Sequence, residues 1–176
     1  MKSSLKIYFL IFFFFIFSTY NTKHNEKSFS FAFPIKKILI QNNIVTDLSE
    51  LESDLSILIN SSLFFLNKEK ILTIIDKHEF ISTFQLKKKY PNILKIKIFE
   101  KVPVATQIID KEKFYITKDN HKIEFTDIKI YENLPLIFGK YKNFDIFYYN
   151  LEKNNFKINE IKAFYYFDLD RWDIVL

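Results

Sequence analysis

The chain has 176 residues, 48% of them hydrophobic, enough to bury one or two small cores and too many for a disordered tail. It holds no cysteine, which excludes disulfides, thiolate metal sites and a cysteine nucleophile. The net charge is +5, with lysines spread along the sequence and Arg171 as the one arginine, and a spread of this kind lacks the clustered basic face of a nucleic-acid binder.

The 22 Phe and 10 Tyr stand beside abundant Lys, Ile and Asn and a single glycine, a skew among similar amino acids typical of an AT-rich coding sequence. The aromatic content is therefore given no functional weight. Residues 1–4 read as a short cytoplasmic stub and residues 5–20 as a transmembrane helix. Leu5 to Tyr20 is apolar almost throughout, with Phe12 to Phe15 at its centre. As a helix this stretch is about 24 Å long, short against a hydrocarbon core of about 30 Å and workable with local thinning. A cleaved signal peptide is the alternative, but Ser18-Thr19-Tyr20 makes a poor cleavage site. An uncleaved anchor is preferred, and Lys2 and Lys6 put its N-terminus inside. Residues 21–32 are polar and without period, and read as a linker.

From Phe33 the pattern changes. Ile35 to Ile40 reads as a strand, closed by Gln41-Asn42-Asn43. Asp47 with Glu50 three residues on is a helix N-terminus signal, and Leu48, Leu51, Leu55 and Leu58 fall on one helical face. Asn67 is a second N-cap, followed by an apolar face of Ile71, Leu72, Ile74 and Ile75. Phe80 to Leu86 reads as a strand and Lys87-Lys88-Lys89 follows it. A turn at Tyr90-Pro91-Asn92 leads to strict alternation, Leu94, Ile96 and Ile98 against Lys95 and Lys97, which predicts a half-buried strand. The order strand, helix, helix, strand, strand over residues 33–102 predicts an α+β sandwich with both helices on one sheet face.

Residues 103–176 predict a second domain, a mostly antiparallel β domain. Val104–Ile109 and Phe114–Thr117 read as strands, Lys118 to His121 as a hairpin turn, and Lys122–Thr126 as the return strand. Gly139 is expected to supply a positive φ. Residues 144–153 read as a short amphipathic helix. Ile161–Phe167 and Trp172–Leu176 read as strands around Asp168-Leu169-Asp170.

These elements resemble, in order, those of the bacterial cell-division family FtsQ, called DivIB in Gram-positive bacteria. A POTRA domain, a module for protein–protein docking outside the cytoplasmic membrane, has the order read over 33–102. The family's basic-x-aromatic-Pro turn is matched by Lys88, Tyr90 and Pro91, its alternating strand by Ile96 and Ile98, and its Glu-x-x-Pro-Val/Ile-Ala element by Glu100, Pro103, Val104 and Ala105. Its Asp-x-x-Gly-like turn is matched loosely by Lys118 to His121, with histidine in the glycine position. Leu134, Pro135, Ile137 and Gly139 match a Leu-Pro-x-apolar-x-Gly element, and Arg171-Trp172-Asp173-Ile174 an Arg-Trp-Asp-apolar strand. The family continues through further strands beyond that point, so the β domain is expected to be incomplete here, as a fragment or a short form.

The resemblance implies a non-enzymatic, single-pass scaffold of the inner membrane at the division septum. Its N-terminus would be cytoplasmic, its C-terminal domains periplasmic, and residues 5–20 would lie in the lipid bilayer. The implied partners are divisome proteins of the FtsB and FtsL type, recruited by strand addition. No cofactor, metal or small-molecule substrate is expected. Candidate partner-binding residues are Thr83 and Gln85 on the strand at the POTRA sheet edge, and Arg171, Trp172, Asp173 and Ile174. For Trp172, packing is preferred over an interface hot spot. The runner-up is a POTRA component of an outer-membrane assembly or secretion system, but no POTRA repeat or series of barrel strands is seen. An envelope enzyme is the third reading. His24, His78 and His121 have no ligand spacing, and Ser61-Ser62 has no nearby histidine or elbow motif.

Overall fold

The computed structural model describes residues 2–18 and 33–176. The linker expected over 21–32 lies outside the described residues, as do Thr19 and Tyr20 of the expected anchor. Helix α1 runs Lys2–Ser18, starting three residues before the expected Leu5. Every side chain from Ile7 to Ile16 is large, apolar or aromatic, and more than half exposed. At 17 residues α1 is about 26 Å long. Among the described residues no helix is long and apolar enough to cross a membrane.

The first folded unit has the predicted order. Strand β1 is Lys37–Gln41, helix α2 Leu48–Leu55 with a 3-10 turn at Ser56–Leu58, helix α3 Lys68–Ile75, strand β2 Ile81–Lys89 and strand β3 Ile93–Glu100. Asp47 caps α2. Its carboxylate accepts from the Ser49 and Glu50 amides at 2.8 and 3.2 Å and from the Ser49 hydroxyl at 2.6 Å. The Ser49 hydroxyl, then these amides, hold the Asp47 carboxyl below the ordinary aspartate value. Asn67 caps α3 by accepting from the Glu69 amide at 2.9 Å.

The sheet runs β1-β3-β2, with β1 parallel and β2 antiparallel to the central β3. Both helices cover one face. Leu51, Leu55, Leu58, Ile71 and Ile75 bury against Phe84, Leu94, Ile96 and Ile98. Two leucines depart from their predicted stripes. Leu48 and Leu72 are 38% and 44% exposed, because each lies at the rim of a helix only eight residues long. Strand β2 also runs three residues past the expected Leu86, so Lys87, Lys88 and Lys89 lie within the ladder, opposite Lys95, Leu94 and Ile93.

The second unit contains β4 Pro103–Ile109, β5 Glu112–Thr117, β6 Lys122–Glu124, β7 Leu136–Phe138, α4 Phe144–Lys153, β8 Ala163–Phe167 and β9 Arg171–Val175. The sheet order is β6-β5-β4-β7-β8-β9. Three of its five strand pairs are antiparallel, in keeping with the expectation of a mostly antiparallel sheet, and two parallel pairs make the sheet mixed. The pairs β4–β7 and β7–β8 at its centre are parallel, and the outer pairs are antiparallel. Helix α4 carries the chain from the end of β7 back to the start of β8, the crossover that this parallel pair requires, and the long excursion through β5 and β6 serves the same purpose between β4 and β7. Phe144 and Tyr148, one turn apart on α4, bury with Ala105, Ile116, Ile137, Ile161 and Phe164.

The two units meet at an aromatic junction. Phe80 stacks on Tyr131 at 6.4 Å and packs edge-on against Tyr115 at 6.0 Å. Tyr115 is almost wholly buried and donates its hydroxyl to the Thr126 carbonyl at 2.7 Å. The Glu124 amide donates to the Glu79 carboxylate at 2.7 Å.

Candidate docking surfaces

The candidate residues lie on two of the four edge strands, β2 and β9. Strand β2 is an edge of the first sheet, as expected of the strand that begins near Phe80. Its inward positions are Ile81, Phe84 and, half-buried, Leu86 and Lys88. Thr83 and Gln85 are exposed on the other face, opposite Phe99 and Lys97 of β3. The register shifts between Ile81 and Thr83, a bulge at the start of the edge. The three lysines that follow are within the strand and guard its far half against indiscriminate pairing.

Strand β9 ends the second sheet. Its residues alternate. Arg171, Asp173 and Val175 are exposed, while Trp172 and Ile174 are half-buried against the second core. Trp172 stacks on Phe147 with ring centroids 4.5 Å apart and planes 9° apart, and it touches Tyr166, Tyr141 and Phe144. This is the packing expected of Trp172. The Arg171 guanidinium makes a two-pronged contact with Asp173, Nε to Oδ1 at 3.1 Å and Nη2 to Oδ2 at 3.2 Å, and lies over the Phe167 ring. The six candidate residues thus occupy two edges on two sheets and form no single site. At β9 a partner would meet backbone, Arg171 and Asp173, with Trp172 turned inward.

The motif positions behind the family resemblance have structural reasons. The Glu100 carboxylate, at the end of β3, accepts from three consecutive amides, Ile44 at 2.9 Å, Val45 at 3.1 Å and Thr46 at 2.8 Å. It ties the loop after β1 to the far end of β3, just before α2 starts. Gly139 has φ +99, and a Cβ there would lie 2.5 Å from the Tyr166 carbonyl oxygen of β8. No side chain fits, so the positive φ expected of it is joined by a close approach between strands. Neither Glu100's partners nor the Phe80–Tyr115–Tyr131 junction has a local signal, because both join residues distant in sequence.

The histidines do not converge. His78 is buried with Nε2 3.3 Å from an Asp54 oxygen, His121 pairs with Asp119 on the surface, and His24 lies outside the described residues. Among the described residues no three acidic or histidine side chains come together to hold a metal ion.

Residues 33–101 match the family model described as POTRA domain, FtsQ-type. That segment is β1 to β3 with its two helices, and it defines the class: a POTRA-domain protein whose POTRA unit leads into a mixed-sheet domain. The resemblance within that class is to the FtsQ/DivIB family. Over 83 residues it is 29% identical to the cell division protein FtsQ of Rickettsia typhi (strain ATCC VR-144 / Wilmington). The aligned stretch is 47% of this chain and 31% of that relative, so the chain matches about a third of the relative's length.

Proposed function

We propose that this chain is a non-enzymatic, bitopic cell-division protein that links other division proteins at the septum. The observation that carries the reading is the FtsQ-type POTRA match over 33–101, seen as an intact β-α-α-β-β unit with its own core. The relative named cell division protein FtsQ supports the process.

In this reading residues 5–20 anchor the chain in the inner membrane, residues 21–32 are a linker, 33–102 the POTRA domain and 103–176 the β domain on the periplasmic side. The apolar side chains from Ile7 to Ile16 support the anchor. A helix a few ångströms short of the hydrocarbon core is accommodated by bilayer thinning and interfacial flanks. The partners are small bitopic division proteins of the FtsB and FtsL type. They add a strand to an exposed edge, β2 at Thr83 and Gln85 or β9 at Arg171 to Ile174.

Depletion of the protein in its own organism tests the process directly. The expected phenotype is filaments that segregate their nucleoids and fail to septate. Normal division under full depletion would sink the proposal. Photo-cross-linkers at Thr83, Gln85 and Asp173 should then capture a bitopic partner from at least one edge.

A further inference from the structure

The lysines that look scattered in the sequence are gathered by the first sheet. Its residues facing away from α2 and α3 fall in rows across β1, β3 and β2. Lys37, Ile93 and Lys89 form one row, Leu39, Lys95 and Lys87 the next, and Gln41, Lys97 and Gln85 a third. With strands about 4.8 Å apart and rows about 6.7 Å apart, five lysines share roughly 10 by 14 Å. Lys87 stands directly opposite Lys95, a like-charge pair that costs the sheet stability. Among the described residues none of the five takes part in an ion pair. No Asp or Glu occurs in residues 33–41 or 81–99, which supply the whole face.

Half-exposed aromatic rings border the first row. Tyr90, in the β2–β3 turn, packs edge-on against Phe33 at 5.2 Å, and the two are 49% and 46% exposed. The Leu63 amide donates to the Phe33 carbonyl at 2.9 Å, and Lys88 donates to the Phe64 carbonyl at 2.9 Å. These contacts bring Phe64 and Phe65, each 57% exposed, to the same corner.

Unpaired cations beside exposed aromatic rings, with no carboxylate among them, complement a surface of phosphate and acyl boundary. With α1 read as the anchor proposed above, the corner is also tethered near such a surface. Only residues 19–32 separate Phe33 from the end of α1, at most about 50 Å of chain. We infer that the corner formed by Lys37, Lys87, Lys89, Phe33, Phe65 and Tyr90 seats the POTRA domain on the anionic phospholipid surface of the bilayer. The inference rests on the membrane reading of α1 given above. It orients the domain, with β3 rising away from the lipid and β9 carried outward.

The absence of native cysteine makes a single introduced thiol a unique label. The full chain is placed in nanodiscs of phosphatidylcholine with or without one-third phosphatidylglycerol, carrying an environment-sensitive dye at Phe65→Cys or, as the distant control, at Lys111→Cys in the β4–β5 turn. Headgroup-quencher lipids should quench the dye at position 65 in anionic discs and leave the dye at 111 unaffected. Each lysine contributes roughly fivefold to surface occupancy. The triple variant Lys37→Gln/Lys87→Gln/Lys89→Gln, or high salt, should therefore abolish the anionic component while circular dichroism stays unchanged. Quenching that ignores lipid charge and the triple variant would reduce the effect to tethering and overturn the inference. Absence of quenching in anionic discs would overturn it too, leaving the face to an acidic protein partner. If the chain is not retained in discs at all, the anchor reading fails separately. The same labelled chain must then sediment with one-third phosphatidylglycerol vesicles and not with pure phosphatidylcholine ones, or the surface-binding inference fails as well.

Discussion

Glu100→Ala removes the group that ties the loop after β1 to the end of the parallel strand β3. Its carboxylate accepts from the amides of Ile44, Val45 and Thr46 at 2.9, 3.1 and 2.8 Å. A hydrogen bond to a charged group is worth about 1.5–3 kcal/mol when well shielded. Shielding differs along this loop. Ile44 is 73% exposed, so its amide recovers a water at little cost. Thr46 is 8% exposed, and its amide would stay buried without an acceptor, at about 1–3 kcal/mol. Val45 lies between. The expected loss is about 2 kcal/mol, and about half that for Glu100→Gln, which keeps one acceptor oxygen. Urea unfolding followed by far-ultraviolet circular dichroism gives the global value. Amide hydrogen exchange gives the local one, and 2 kcal/mol corresponds to roughly 30-fold faster exchange at positions 44–46. A loss below about 0.5 kcal/mol with unchanged exchange there would refute the clamp.

Other consequences are as direct. Leu55 is fully buried between α2 and the sheet, so Leu55→Ala should cost about 2–5 kcal/mol, and a negligible loss in urea would mean the helix register is wrong. Gly139→Ala meets both a positive φ and the Tyr166 carbonyl, so a destabilisation above about 1 kcal/mol is expected, read by the fluorescence of Trp172; a neutral result would contradict the close approach of β7's end to β8. Among the described residues the Tyr141 hydroxyl is buried without a hydrogen-bond partner, and burial raises its pKa from 10.0 to about 12. The folded state then holds the proton more tightly than the unfolded state, so this contribution is complete below pH 10 and lost as pH rises from 10 to 12. Tyr141→Phe should flatten the fall in stability over that interval, and equal slopes for both proteins would show that the hydroxyl is solvated.

Legibility in the sequence followed the range of the interactions. Period-2 alternation at Leu94, Ile96 and Ile98 identifies β3, and Asp47 and Asn67 mark helix starts, because each signal is carried by a few neighbouring residues. The two rim leucines, Leu48 and Leu72, mislead because helical period says nothing of how wide a face the sheet covers. Lys87 to Lys89 read as the residues after a strand, yet pairing with β3 keeps them in it. The parallel centre of the second sheet is hidden for a related reason: β7 is three residues long, and its parallel neighbours β4 and β8 reach it only through long connections. Lysines counted along the chain look dispersed, and only the register across β1, β3 and β2 brings them onto one face. Of the six partner candidates, edge position was legible for Thr83 and Gln85. Packing was legible for Trp172 as well, but not its partners Phe147 and Tyr141, which lie on and just before α4.

The position of the protein in a living cell tests the proposed role in division most directly. A fluorescent protein fused ahead of Met1, expressed at native level in the organism itself, should form a band at midcell in constricting cells and be dispersed in newborn ones. A variant carrying Leu55→Ala should lose the band as its POTRA domain unfolds. An even distribution around the envelope at every stage of the cell cycle, with the fusion stable and folded, would contradict a role in division.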